Sequence, residues 1–175
     1  MNKLSFYITT AFLMVLSVSI QAADPIKGKE KSAACVSCHG QDGISPSPIW
    51  PNLAGQHASY LAKQLHEFKK GVNGKRNNSI MYGISLTLSD DDISDISAYY
   101  ESLDNAIGTT SDKYLTLGQN IYRGGNMEYK IQACIACHGP TGKGNGPAKI
   151  PSLSGQHADY LYSQLKNFQT TKFQS

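Results

Sequence analysis

The chain has 175 residues and a formal net charge of +3, which bounds it at one or two small domains. With 40% hydrophobic and 17% charged residues it has the composition of a soluble globular protein. The charge is too mild for a nucleic-acid-binding protein.

The first 23 residues stand apart. Lys3 supplies a positive start, residues 4–20 are mostly apolar, and Gln21-Ala22-Ala23 ends in small residues. This pattern predicts a secretory signal peptide over 1–23, with an uncleaved membrane anchor as the rival reading. Either way the domains that follow lie outside the cytoplasm.

Asp24-Pro25 opens the first domain, because Pro suits the first turn of a helix. Residues 26–38 then read as one short helix carrying Cys35-Val36-Ser37-Cys38-His39. This is the spacing of a covalent c-type haem attachment site. Residues three apart share a helix face, so Cys35 and Cys38 can each add to one vinyl group of a single porphyrin. His39 follows directly and can present its imidazole to the iron. The pattern returns as Cys134-Ile135-Ala136-Cys137-His138 and uses all four cysteines. Other readings are weaker. One zinc centre with four thiolates leaves the following His in each repeat unexplained. A thioredoxin-like motif needs a βαβ pattern, and cysteines separated by two residues bridge poorly in a helix.

Residues 40–48 are a loop rich in Gly, Ser and Pro. A second helix is expected from Gln56 or His57, with Tyr60, Leu61, Leu65 and Phe68 as its apolar stripe, ending at Gly71 and Gly74. Residues 75–88 are expected to form an extended loop containing Met81. Ser89 is a good N-cap before Asp90, Asp91 and Asp92, which read as capping carboxylates rather than metal ligands. Ile93, Ile96, Tyr99, Tyr100 and Leu103 mark one face of the next helix, and residues 105–111 form a linker.

The second half repeats the plan. A helix is expected over 114–126, ending near Gly124-Gly125, then Cys134, a Gly-rich loop over 139–146, and a helix over 157–168. Pro51-Asn52-Leu53-Ala54-Gly55-Gln56-His57-Ala58-Ser59-Tyr60-Leu61 matches Pro151-Ser152-Leu153-Ser154-Gly155-Gln156-His157-Ala158-Asp159-Tyr160-Leu161. The offset is 100 here and 99 at the cysteine motifs, so one residue was gained between them. Seven residues follow Phe168, whereas Phe68 is followed by 35 residues through Leu103. The second domain is therefore expected to lack the loop and last helix of its sibling. Residues 24–111 hold eight Lys/Arg against ten Asp/Glu, and residues 112–175 seven against three, a dipolar arrangement able to orient on charged partners.

The duplicated attachment motif, the leader, and the Pro-x-Leu-x-Gly-Gln-His-Ala-x-Tyr-Leu-x-x-Gln-Leu segment in both halves resemble the di-haem cytochrome c4 family. The resemblance runs from about Pro25 to the end of the chain. It implies an all-α fold of two tandem class I cytochrome c domains, the second lacking its distal Met loop and last helix. The divisions are 1–23 signal peptide, 24–107 first domain, 108–112 linker and 113–175 second domain. It implies two haem c groups held through Cys35, Cys38, Cys134 and Cys137, with His39 and His138 as axial ligands.

The family's second iron ligand is a Met before the last helix, where Met81 stands. His57, repeated as His157, is the rival distal ligand, with a structural or propionate-bonding role favoured for it. Met127 lies on the wrong side of the haem. His66 faces Lys166 in the repeat and reads as a surface residue. Pro51 and Pro151 resemble the proline whose carbonyl orients the proximal imidazole.

The implied function is a periplasmic electron carrier of the respiratory chain, not an enzyme, soluble or peripherally membrane-associated. Its implied donor is a quinol-oxidising cytochrome bc complex or similar, and its acceptor a haem–copper terminal oxidase. The alternatives are a cytochrome subunit of a dehydrogenase or peroxidase, or a haem-based ligand binder.

Overall fold

The computed structural model describes residues 22–169. The expected leader lies almost wholly outside the described residues. Among them, no helix is long and apolar enough to cross a membrane.

Helix α1 spans Pro25–Lys31, and the Asp24 carboxylate accepts hydrogen bonds from the amides of Ile26 and Lys27. The single helix expected over 26–38 is instead two. Buried Ser32 interrupts it: its hydroxyl donates to the Lys29 carbonyl at 2.7 Å, so a side chain takes over a backbone acceptor. Helix α2 then runs Ala33–His39. Helix α3 is Ala58–Lys69, with His57 as its N-cap residue, followed by a 3-10 turn at Gly71–Asn73.

The extended loop expected over 75–88 is replaced in large part by helix α4, Ser79–Leu86. Asn78 caps it by accepting from the Met81 amide at 3.0 Å. Two isoleucines, a leucine and a methionine within eight residues conceal the cap, because the local pattern is too short to show a period. Helix α5, Asp90–Glu101, starts as expected, with Ser89 and Asp92 forming a reciprocal capping box. The second half contributes α6 (Asp112–Gly124), α7 (Ile135–His138) and α8 (Ala158–Gln169). No strand forms among the described residues; two isolated antiparallel bridges, Asn126–Ile131 and Asn145–Ile150, close small loops.

The core belongs to the first half. Helix α5 packs against α1 and α3, and α3 also packs on α4. Ile93 (0% exposed), Ile96 (2%) and Tyr100 (1%) are fully buried on α5, with Leu61 of α3 beside them. Burying an aliphatic or aromatic side chain of this size contributes about 1.5–3 kcal/mol. Lys31 of α1 bridges Asp92 and Asp95 of α5. Among the described residues the second half has no counterpart of α4 and α5, and Tyr114, Leu117, Tyr162, Leu165 and Phe168 are exposed.

The halves meet along a polar seam built from the repeated segments. The Asn52 amide donates to Gln156 Oε1 and Gln156 Nε2 returns a bond to the Asn52 carbonyl, both at 2.9 Å. The same exchange joins Ser152 and Gln56, at 2.8 and 2.9 Å. Residue i of one half thus bonds residue j of the other and the reverse, the signature of an approximate two-fold contact. Gln56, Asn52 and Ser152 are 6–7% exposed, and the opposite half supplies part of the hydrogen bonding that such buried polar groups need.

Candidate haem-binding sites

The first cysteine motif lies on α2, and the second starts at Cys134, the residue before α7; glycine fixes the exit of both helices. Gly40 and Gly139 end α2 and α7 at φ of 81° and 74°, a region that favours glycine. A Cβ on Gly40 would sit 2.0 Å from the Ile44 carbonyl oxygen. The chain then turns back, and Gly43 accepts from the amides of Leu53 and Ala54 at 2.7 and 3.0 Å. In the second half Gly142 accepts from Leu153 and Ser154 at 2.7 and 3.1 Å. The residue gained in the repeat is absorbed between these anchors, in the 144–150 loop, where Lys149 adopts φ 56°.

This return brings a proline carbonyl to each histidine. His39 Nδ1 lies 2.8 Å from the Pro51 oxygen, and His138 Nδ1 lies 2.9 Å from the Pro151 oxygen. A carbonyl only accepts, so Nδ1 carries the proton and Nε2 keeps its lone pair. A neutral imidazole with a fixed ring is what a metal site requires. Burial pushes the His39 pKa down, partly offset by the Pro51 bond, and so favours the neutral form.

All four cysteines are unpaired. Cys35 packs against a cluster of Leu61, Ile96, Tyr99 and Tyr100, with Leu53, Leu88 and Leu103 alongside. Burial raises its thiol pKa, leaving an S–H group next to an apolar wall. Among the described residues no group of three or more His, Cys, Asp or Glu side chains that could hold a metal ion forms. Two independent Cys-Cys-His sets, each with its Nε2 free of the backbone, fit one covalently attached haem apiece.

Met81 is half-buried on the first turn of α4. Its amide is held by Asn78 and its carbonyl accepts from the buried Ser85 hydroxyl at 2.6 Å. The two other histidines of the repeat belong to the seam. His57 Nε2 contacts the Lys143 carbonyl at 2.7 Å, and His157 Nε2 contacts the Ser45 carbonyl at 3.1 Å. Met127 is 88% exposed on its small loop. His66 lies on the surface, 3.9 Å from Asp90.

Sequence reasoning did not find the seam residues Asn52, Ser152, Gln56 and Gln156. A signal was present. Gln and His recur at the same two places in both halves directly before an apolar stripe, where a single domain would need no shared polar pair.

The cytochrome c family profile matches residues 26–104 and 116–173. Cytochrome c4 of Pseudomonas aeruginosa is 40% identical over 168 residues, covering 96% of this chain and 82% of that protein. The crystal structure of reduced recombinant cytochrome c4 from Pseudomonas stutzeri superposes with a TM-score of 0.84 at 39% identity, covering 87% of this chain and 84% of that one. A "thiosulfate dehydrogenase electron acceptor" of Stutzerimonas stutzeri is 38% identical over 162 residues, covering 87% of this chain and 73% of that protein.

Proposed function

Because the chain belongs to the cytochrome c4 family of di-haem cytochromes c, an electron carrier rather than an enzyme with two covalently bound haem c groups, we propose that it carries electrons in the periplasm and delivers them to a haem–copper terminal oxidase. The observation behind this reading is the repeated cysteine motif with its histidine Nδ1 held by a proline carbonyl at 2.8 and 2.9 Å. When bound, each haem supplies a one-electron Fe(III)/Fe(II) couple.

The residues around it have separate tasks. The Cys35 and Cys38 thiols would hold one haem, by addition of S–H across its two vinyl groups, and Cys134 and Cys137 would hold the other in the same way. His39 and His138 would each offer Nε2 to a haem iron, and their Nδ1 bonds to the Pro51 and Pro151 carbonyls hold the rings in place. Met81 offers a thioether sulfur to the first iron, a soft donor that favours the reduced state and raises the potential. With three holding residues within five positions, each half would carry its own haem, and the seam between the halves would fix their spacing.

Secretion by the 1–23 leader places the carrier on the side of the membrane where covalent haem attachment occurs, with a cytochrome bc complex as donor. The relative named as an electron acceptor supports a second reading, in which a thiosulfate dehydrogenase supplies the electrons. The test is stopped-flow reduction of the haem-loaded protein by each donor, followed by oxidation by a terminal oxidase preparation. Two haems per chain that survive acid–acetone extraction, and oxidation by the oxidase within its turnover time, are expected. One haem per chain, or no oxidation, overturns the reading.

A further inference from the structure

Arg76 lies between the two halves and five residues before Met81. Its Nη1 donates to Gln64 Oε1 of α3 at 2.8 Å, and its Nη2 donates to the Tyr160 hydroxyl of α8 at 3.1 Å. Its guanidinium also lies 5.0 Å from the Phe68 ring centroid, within cation–π range. The loop it belongs to is fastened again one residue earlier, where the Lys75 amide donates to Glu67 Oε2 at 2.7 Å. Two residues after Arg76 comes Asn78, whose side chain fixes the Met81 amide.

The planar fork of an arginine can hold two acceptors at once in a fixed geometry, which a lysine cannot. Tyr60, the repeat equivalent of Tyr160, joins the same cluster: burial and Tyr160 push its phenol pKa up, and Arg76 pulls it back. The arrangement is one-sided. Gln164 is the repeat equivalent of Gln64, yet its Oε1 is buried and without a partner among the described residues.

We propose that Arg76 is a positioning residue which ties the Met81 loop to the second half through Tyr160, so that docking of the halves holds the Met81 sulfur in place. The first haem then senses the second domain through a bond rather than through haem-to-haem electrostatics alone. This rests on Met81 being the axial ligand of the first iron.

The test uses the intact, haem-loaded chain and adds imidazole to the ferric protein. Imidazole competes for the position held by Met81, and the readout is the sulfur-to-iron charge-transfer band that Met81→Ala removes. Tyr160→Phe, a change in the other half that keeps the ring, is expected to lower the imidazole concentration for half-loss by about 3- to 10-fold, the size of one net hydrogen bond. Arg76→Gln moves it the same way and at least as far, and Arg76→Lys follows Arg76→Gln. The double variant with Tyr160→Phe goes no further than Arg76→Gln alone, because both remove one contact. Tyr162→Phe, exposed on the same helix, stays at the wild-type value. A wild-type midpoint in Tyr160→Phe, or additive effects in the double variant, overturns the tie. A band that survives Met81→Ala overturns the ligand assignment instead, and the tie loses its object with it.

Discussion

Gly28 is the point where α1 crosses α5, and its replacement by alanine is the sharpest test of the first-domain core. A Cβ there would meet the Asp95 carbonyl oxygen at 2.0 Å and the Asp95 carbonyl carbon at 2.4 Å. Ordinary C···O contacts lie near 3.3 Å, so α1 must retreat by about 1 Å. Both obstructing atoms are backbone, and α5 is held by its own buried Ile93, Ile96 and Tyr100, so α1 has to yield. A gap of 0.5–1 Å already forfeits about a quarter to a half of each dispersion contact, and overpacking costs about 1–3 kcal/mol. Alanine returns about 1 kcal/mol of helix propensity.

The net expectation for Gly28→Ala is a loss of about 1 kcal/mol. Guanidinium unfolding of the haem-loaded protein, followed by far-ultraviolet circular dichroism, measures it. Gly118, in the first helix of the second half, has open space around its Cβ position, and Gly118→Ala is expected to be neutral or to stabilise α6 by up to about 1 kcal/mol. A neutral Gly28→Ala, or equal losses at both glycines, refutes the argument.

Gln56→Ala strips both partners from the buried Ser152 backbone groups. It should cost about 2–4 kcal/mol and speed proteolysis in the 105–111 linker; a loss under about 0.5 kcal/mol counts against the seam. The Asp92 carboxyl is held well below the ordinary value of 3.8, first by the hydrogen bond from Lys31 and then by Ser89. A depressed folded pKa adds stability that is complete above the unfolded value and is lost as pH falls below it. Stability should therefore fall below about pH 4, and Asp92→Asn should flatten that slope in unfolding curves taken from pH 6 to 2. Ser89→Ala should cost about 1 kcal/mol through the same cap. Lys149 sits at φ 56°, so thermal melts should rank Gly at or above Lys and both above Val, the last by about 1–2 kcal/mol; a Val variant as stable as wild type would show that the loop is not held there.

The attachment sites were legible because their chemistry is local. Two thiols and an imidazole must sit within five residues, and a repeat of that spacing needs no tertiary argument. The α5 cap was equally readable, since Ser89 and the three aspartates act on their own first turn. The 26–38 helix was misread because Ser32 breaks it by bonding Lys29, a choice stabilised by burial that the sequence does not display. The α4 helix was missed for a related reason: it packs on α3, and eight residues are too few to form a stable helix without such a neighbour.

By itself, then, the sequence determined that there are two cysteine–histidine motifs with the spacing of haem attachment, and that the halves share one plan. Those facts follow from bond lengths and the helical period, which act over a single turn. Tertiary structure alone decided what the repeated polar residues are for. In their own half the Asn52 and Gln56 side-chain oxygens accept the Ser45 and His57 amides, but their side-chain N–H donors find acceptors across the seam. Only when the copies face each other do the Gly155 and Ser152 carbonyls accept those bonds, and only then does Arg76 reach Tyr160. A buried polar group must find a partner, but nothing in the linear chain says that the partner lies about a hundred residues away.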